Sequence, residues 1–186
     1  EEHNVSRQPF LPEDVGRKKA AVMAEILQEA FQVTCSYYPE YLKHVYELEK
    51  FEKEDYVTIL IGCVDNHACR KVLHAYFRKS ISCFYLDSAN EYSVGEVVVG
   101  VRIAGSEISP DRVHYFPEIL QDDSLPRSEE SCQRVNMRQP QHLVTNLLAA
   151  NLLLKCVVEI LSEQEWNGGI YYFDAFKGYS VFREKP

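Results

Sequence analysis

The segment 57–77, with the sequence VTILIGCVDNHACRKVLHAYF, constrains the fold more than any other part of the chain. Its first five residues, Val57–Ile61, are apolar and mostly β-branched, which is typical of a strand buried on both faces of a parallel sheet. Asn66 stands where it can cap a following helix. The apolar residues that then recur at helical spacing predict one buried stripe, formed by Cys69, Val72, Leu73, Tyr76 and Phe77. The segment therefore predicts a strand–turn–helix unit of an α/β sheet.

Asp65 lies in the predicted turn between this strand and this helix. In open α/β sheets, ligands bind at the carboxyl ends of strands, beside helix N-termini that attract phosphate. A carboxylate at that place would repel a bare phosphate, but it could hold a Mg²⁺ ion that bridges to one. A second capping role for Asp65 is equally compatible with its position.

Composition excludes several classes of protein. The 186 residues correspond to one domain or slightly more, and 46% hydrophobic and 12% aromatic residues indicate a globular chain. A net charge of −8 without a basic run argues against a nucleic-acid partner. No signal peptide is evident, and Asn151 interrupts the longest apolar segment, Leu147–Leu154, so we expect no membrane span. Six cysteines without a CxxC pair predict reduced thiols in a cytoplasmic protein and no zinc site.

Patterning along the rest of the chain predicts further elements. The expected helices and strands are a helix over Asp14–Phe31, a strand at Val33–Tyr37, a helix over Glu40–Phe51, strands at Ser82–Leu86 and Val94–Ile103, a largely buried helix over Leu143–Leu161, and a hairpin formed by Ile170–Phe173 and Tyr179–Phe182. Asp87 is expected to end its strand, and glycines favour an antiparallel or edge position for Val94–Ile103. The stretch 105–139 has no period and predicts a crossing loop.

The first helix is expected to bury one face and to carry cations at its start. The predicted buried residues are Ala20, Met23, Leu27, Ala30 and Phe31. Arg17, Lys18 and Lys19 fall in its first turns, where positive charge opposes the helix dipole. Either an anionic group lies nearby or these residues form a solvated charged face.

Four motifs, in this order, resemble those of the ubiquitin-activating-like superfamily typified by ThiF and MoeB. The segment Asn4–Ala20 (NVSRQPFLPEDVGRKKA) is similar to the family's "NLxRQ…GxxKa" motif, and CVDN at 63–66 is similar to its strand-end Asp-Asn pair. FYLDSANEYSVGEVVVG resembles the strand that follows, and Cys132 precedes a long apolar helix as in the family. The resemblance covers nearly the whole chain and is nearest to the stand-alone bacterial ThiF-like proteins of the PRTRC kind.

The resemblance implies a fold and an activity. The fold is α/β, with a mostly parallel Rossmann-like sheet and a C-terminal hairpin, and residues 1–186 correspond to an N-terminally incomplete adenylation domain. The activity is ATP-dependent adenylation of the C-terminal glycine carboxylate of a ubiquitin-like or sulfur-carrier protein. ATP and Mg²⁺ are the implied cofactors. A homodimer and a ubiquitin-conjugating-like enzyme are further implied partners.

The family's functional positions can be placed on this chain. The implied nucleotide contacts are Asn4, Arg7, Gln8, Lys19 and Asn66, and Asp65 is the implied Mg²⁺ ligand. These residue types suit the chemistry, because attack of a carboxylate on the α-phosphate develops charge that an arginine, a lysine and a metal ion stabilise. Lys18 is an alternative to Lys19, although the spacing from Gly16 favours Lys19.

Cys132 is the implied thioester nucleophile. Relatives that transfer their substrate to a thiol use a cysteine in the loop before the long helix, and Cys132 alone among the six stands in a wholly polar context. Arg134 would lower its pKa, whereas the neighbouring Glu129 and Glu130 would not. It could also be an incidental loop cysteine. Cys63, Cys69, Cys83 and Cys156 are expected in the core, and the histidines at 67, 74, 114 and 142 are expected to be structural.

The chain also departs from the family pattern. The glycine-rich loop and the first two strands of the family precede the "NLxRQ" motif, and this sequence contains nothing like them. Either the chain is a fragment or another polypeptide completes its nucleotide site. A degenerate subunit that binds a ubiquitin-like partner as a scaffold is the alternative function, although the retained Arg7, Lys19 and Asp65 favour an enzyme. No dinucleotide fingerprint supports a dehydrogenase.

Overall fold

The computed structural model describes residues 10–53, 56–122, 142–163 and 168–184. The chain divides into two compact units, Glu1–Leu42 and Lys43–Pro186. The strands and all but one of the long helices of the described part belong to the second unit.

The first unit contains a short 3-10 turn, Pro12–Asp14, and helix α1, Lys19–Phe31. The helix begins five residues later than predicted, because Gly16 adopts a left-handed conformation with φ +91° and Lys18 is extended. The predicted buried stripe is wrong, since the buried residues of α1 are Val22 and Ala24.

Two other expectations for this region fail. Phe31, assigned to the buried face of α1, is 68% exposed. Residues 32–39 form no strand, so the strand predicted at Val33–Tyr37 is absent. A short β-branched or aromatic run becomes a strand only where a neighbouring strand accepts its backbone hydrogen bonds.

The second unit is built on one six-stranded sheet. Its strands are β1 Thr58–Gly62, β2 Cys83–Asn90, β3 Val94–Ile103, β4 Ser106–Ser109, β5 Gly169–Asp174 and β6 Tyr179–Glu184. They lie in the order β1-β2-β3-β5-β6, and β4 pairs with β3. Only β1 and β2 run parallel among the described strands, and every other pair is antiparallel. The α/β class is confirmed, but the described sheet is mixed and not mostly parallel.

Helices cover both faces of this sheet. They are α2 Val45–Glu49, α3 His67–Lys79, α4 Arg112–Tyr115, α5 Glu118–Gln121 and α6 Leu143–Val158, which continues as a π turn over Glu159–Glu163. Helix α3 packs on β1 and β2, α4 packs on β3, and α5 packs on α3, whereas α6 packs on β2 and β3. The polar stretch predicted to be helical over Glu40–Phe51 thus forms only the short α2.

The larger part of the core lies between α6 and the sheet. Alternate residues of the central strands face this helix, because successive side chains of a strand point to opposite faces. The buried residues of this layer are Phe84, Leu86, Val97, Val99, Val101, Ala149, Leu152, Leu153, Cys156, Tyr171 and Phe173. On the other face, Phe77 of α3 contacts Tyr85 with ring centroids 5.9 Å apart.

Three sequence-based expectations for the second unit need correction. Strand β1 lies at one edge of the sheet that the described strands form, and Ile61 is 48% exposed, so this strand is not buried on both faces. Strand β2 continues to Asn90, and Asp87 lies fully buried inside it. The first part of the predicted crossing loop, residues 105–122, forms β4, α4 and α5, whereas its remainder lies outside the described residues.

Helix α6 was expected to be largely buried, but it buries only one side. Its other side exposes Leu143, Val144, Leu147, Leu154, Val158 and, in the π turn, Leu161. By length and composition alone, Leu143–Ser162 could cross a membrane, with a mean hydropathy of 1.7. The same helix buries Ala149, Leu152, Leu153 and Cys156 against the sheet, as a core helix of a globular domain does.

Candidate functional site

The turn between β1 and α3 holds the predicted metal ligand. Asp65 is exposed there, three residues after β1 ends at Gly62. Asn66 caps α3 as predicted, because its Oδ1 accepts a hydrogen bond of 2.8 Å from the backbone N–H of Cys69. The Asn66 Nδ2 donates to Asp65 Oδ1 over 3.4 Å. The side chain of Asn66 is thus committed to the turn itself.

The chemistry of Asp65 fits a Mg²⁺ ion that is shared with a phosphate. Mg²⁺ keeps several waters and commonly binds one or two protein carboxylates together with substrate phosphates. Within the described part of the chain, no three His, Cys, Asp or Glu side chains converge as metal ligands. A single exposed carboxylate beside a helix N-terminus therefore suits a metal that arrives with a nucleotide, and the role of Asp65 stays a prediction.

A buried charge cluster, formed by Arg70, Asp87, Glu96 and Arg112, lies under this turn. Asp87 Oδ1 accepts hydrogen bonds from Arg112 Nε at 2.8 Å and from Arg70 Nε at 3.3 Å. Arg112 also donates from Nη1 and Nη2 to Glu96 Oε1, at 2.8 and 2.6 Å. The cluster contains two positive and two negative side chains, so its charges balance.

Burial shifts the pKa values of three members of this cluster. Loss of hydration raises the pKa of Asp87, while the positive charges of Arg112 and Arg70 oppose that rise. Burial likewise raises the pKa of Glu96 and lowers the pKa of Arg112. The hydroxyl of Tyr85 donates to the second oxygen of Asp87, so both carboxylate oxygens are bonded.

Two histidines of α3 lie beside carboxylates near the neighbouring helices, and of the two only His74 makes a hydrogen bond to its carboxylate. His74 Nδ1 lies 2.6 Å from Asp111 Oδ2, and Asp111 also caps α4 through the backbone N–H of Val113. His67 Nδ1 lies 2.9 Å from Asp122 Oδ2, next to the end of α5. These contacts agree with the structural role predicted for His67 and His74.

The cations before α1 have anionic partners within their own unit. Arg17 Nη2 lies 2.6 Å from both carboxylate oxygens of Glu25, and Arg17 Nη1 lies 3.2 Å from Asp14 Oδ1. Lys18 Nζ lies 3.9 Å from Glu40 Oε1. Arg17 is thus hydrogen-bonded within its own unit, whereas the exposed Lys18 only approaches Glu40. Both arrangements fit the solvated charged face.

Lys19, predicted to contact the nucleotide, is the first residue of α1 and is exposed. Its Nζ lies 5.9 Å from the centroid of the Phe10 ring. Lys19 belongs to the first unit and Asp65 to the second, so their joint placement at one site stays a prediction. Asn4, Arg7, Gln8 and Cys132, the other predicted site residues, lie outside the described residues.

The described cysteines are free thiols with different environments. Cys83 and Cys156 are buried as predicted, Cys69 is half-buried, and Cys63 is exposed, contrary to its expected core position. Burial raises the pKa of Cys69 to about 11 and that of Cys83 to about 12. Although Cys63 is exposed as a residue, partial loss of hydration at its thiol and the charge of Asp87 raise the pKa of that thiol. Cys69 and Cys83 are therefore poor nucleophiles near neutral pH, because little of either thiol is ionised there.

Sequence reasoning missed the buried charge cluster, although a signal for it exists. Asp87 and Glu96 each stand inside an apolar strand, and a charge placed there must have a partner. Arg70 and Arg112 are distant from Asp87 in the chain, by 17 and 25 residues. The sequence therefore indicates that Asp87 needs a cationic partner, but it does not indicate which residues provide it.

Solved structures share this fold. E. coli MccB superposes with a TM-score of 0.66 at 15% identity, over 100% of this chain and 52% of MccB. MccB solved with AMPCPP and MccA gives a TM-score of 0.66 at 13% identity, over 100% of this chain and 53% of MccB. PaaA gives 0.63 at 13% identity, over 99% of this chain and 61% of PaaA.

The likeness establishes the fold alone, because every identity is far below 25%. The chain spans about half of MccB and about three fifths of PaaA. At the level of sequence, no family model and no curated protein matches the chain.

Proposed function

We propose that this chain forms the larger part of an ATP-dependent adenylating enzyme of the ThiF/MoeB type. The substrate would be the C-terminal carboxylate of a peptide-like, ubiquitin-like or sulfur-carrier protein. The observation that best supports this proposal is the shared fold with MccB, which has been solved with the ATP analogue AMPCPP and with MccA. Asp65, exposed at the strand end of that fold, supplies the carboxylate that the chemistry needs.

In the proposed adenylation step, each predicted site residue would have a distinct role. A carboxylate oxygen of the substrate attacks the α-phosphorus of ATP, the bond to the bridging oxygen breaks, and pyrophosphate leaves. Arg7 and Lys19 would neutralise the charge that develops on the α-phosphate, and Asn4 and Gln8 would orient the nucleotide. Asp65 would hold Mg²⁺, which supplies Lewis-acid stabilisation of the phosphates when bound.

A second step would transfer the activated acyl group. The thiolate of Cys132 would attack the carbonyl carbon of the acyl-adenylate, form a thioester and release AMP. A ubiquitin-conjugating-like enzyme could then accept the acyl group, or a sulfur donor could take it directly from the adenylate. A cytoplasmic location and a homodimer complete the proposal.

The central test is ATP–pyrophosphate exchange, measured with radiolabelled pyrophosphate on the complete protein and its carboxylate substrate. Asp65→Ala should abolish exchange while leaving the fold intact, because Asp65 is exposed and lies at a strand end. Glu52→Ala is the control, since Glu52 is an exposed acid that precedes β1 and so lies at the opposite end of that strand from Asp65. Exchange at the wild-type rate in folded Asp65→Ala would remove Asp65 from the site.

Two further arms of this assay separate the alternatives. Cys132→Ala should retain exchange but lose an adduct that thiol reductants cleave on a gel, whereas an equal adduct in both proteins would show that another thiol reacts. A wild-type protein that binds the substrate but never supports exchange would favour the scaffold function.

A further inference from the structure

Arg70 connects the turn that contains Asp65 to strand β2 through hydrogen bonds. Its Nη2 donates to the carbonyl oxygen of Val64 over 2.7 Å, one residue before Asp65. Its Nη2 also lies 3.3 Å from the carbonyl oxygen of Ser88, at the end of β2, and its Nε bonds Asp87. Arg70 is only 8% exposed although it lies in the first turns of α3.

The surroundings of Arg70 leave it little freedom. Asp87, its anionic partner, is 0% exposed and is itself held by Arg112 and by the Tyr85 hydroxyl. The backbone of β1 passes so close that a Cβ atom on Gly62 would lie 2.9 Å from Asp87 Oδ2. The buried charge cluster therefore packs closely against Gly62, the last residue of β1 before the turn.

The turn is thus fixed on both sides of Asp65. The bond from Arg70 holds the Val64 carbonyl before it, and the Asn66 cap to the Cys69 N–H holds the backbone after it. Asp65 itself remains exposed between these two anchors. Groups behind a metal ligand orient it, and their loss commonly weakens metal binding.

We propose that Arg70 is a positioning residue that holds Asp65 in place for a nucleotide-bound divalent cation, and that Asp87 sets the position of Arg70. This inference rests on the proposed function of Asp65. The alternative is that Arg70 serves only as the countercharge of Asp87 and stabilises the fold. Arg112 provides the comparison, because it bonds the same Asp87 oxygen but is bonded on its other side to Glu96.

The test compares Arg70→Lys with Arg112→Lys in the complete protein. Both variants keep a positive charge beside Asp87, and both lose the forked geometry of a guanidinium. If Arg70 positions Asp65, only Arg70→Lys should loosen the turn. If both arginines are mere countercharges, the two variants should behave alike.

Two readouts report on the turn. In the ligand-free protein, the amide of Cys69 should exchange hydrogen about tenfold faster in Arg70→Lys and within about twofold of wild type in Arg112→Lys, relative to the amide of Val98 in the sheet. Electron paramagnetic resonance with Mn²⁺ and ATP should give a dissociation constant raised about tenfold or more in Arg70→Lys and nearly unchanged in Arg112→Lys.

The two readouts test different claims, so a negative result in one leaves the other informative. If wild-type protein does not bind Mn²⁺ with ATP, the proposed function of Asp65 fails, while the exchange measurement still tests the positioning. Equal exchange and equal Mn²⁺ affinity in the two lysine variants would overturn the role of Arg70.

A second variant covers the case in which Arg70→Lys does not fold. Arg70→Met with Asp87→Asn removes both charges together, leaves the Arg112–Glu96 pair intact and keeps an amide at position 87 that can bond Arg112 and Tyr85. Removing both charges of a buried pair is tolerated better than removing one partner. This double variant should also lose protection at Cys69. Full protection there would contradict the proposal.

Discussion

At the scale of single residues, the environment of a thiol decides its reactivity more than its place in the sequence. Cys69 lies on α3, four residues after Asp65, and could be mistaken for a nucleophile of the site. Burial raises its pKa to about 11, with the negative charge of Asp87 acting in the same direction. Its thiolate is therefore scarce at neutral pH, and only the thiolate attacks.

We therefore predict that iodoacetamide labels Cys69 slowly at pH 7. A raised thiol pKa means that the reactive form appears only as the pH approaches that value, so the labelling rate should rise about tenfold per pH unit between pH 8 and 10. Peptide mass mapping across this pH range measures the labelling rate of Cys69. A small thiol compound in solution, whose pKa is not raised, serves as the control. Rapid labelling of Cys69 at pH 7 would contradict the predicted burial effect.

At the scale of elements, α3 depends on its first residues. The cap from Asn66 satisfies one backbone N–H that the helix cannot pair by itself. Arg78 and Lys79 stand in the last turn, where positive charge complements the helix dipole. The helix is then held to the sheet by Leu73, Tyr76 and Phe77.

Asn66→Ala should destabilise the protein by about 1 kcal/mol, because it removes the cap and leaves the Cys69 N–H without this acceptor. Asn66→Asp should cost less, since it keeps an oxygen acceptor and places negative charge at a helix N-terminus. Urea unfolding followed by circular dichroism gives both values. Equal stability of Asn66→Ala and wild type would show that solvent replaces the cap without loss.

At the scale of the whole molecule, one side of α6 presents an apolar surface that the described residues leave exposed. Leu147 and Leu154 stand seven residues apart on α6 and are 59% and 62% exposed, and Leu161 in the following π turn is 68% exposed. Repeats of this spacing form the seam between paired helices. The surface is consistent with the homodimer that we propose.

We expect light scattering to give a dimer mass at micromolar concentration and Leu154→Glu to shift it toward the monomer, because a buried charge in the seam lacks a partner. Ile81→Glu is the control, since Ile81 is 75% exposed and belongs to the loop between α3 and β2, not to α6. A monomer mass for the wild-type protein would contradict the proposed homodimer.

Local signals in the sequence determined several elements. The cap at Asn66, the strand Val94–Ile103 and the C-terminal hairpin follow from patterns within a few residues, where capping, alternation and turn residues act directly. Strand β1 was placed to within one residue for the same reason. These features depend on interactions between residues that are close together in the sequence.

Tertiary structure alone decided how those elements combine. The edge position of β1, the antiparallel pairing of most strands and the exposed side of α6 depend on which distant segments meet. The same holds for the buried charge cluster, where Asp87 joins arginines from two different helices. A sequence pattern states that a buried charge needs a partner or that an apolar face needs cover, but long-range packing selects which residue provides it.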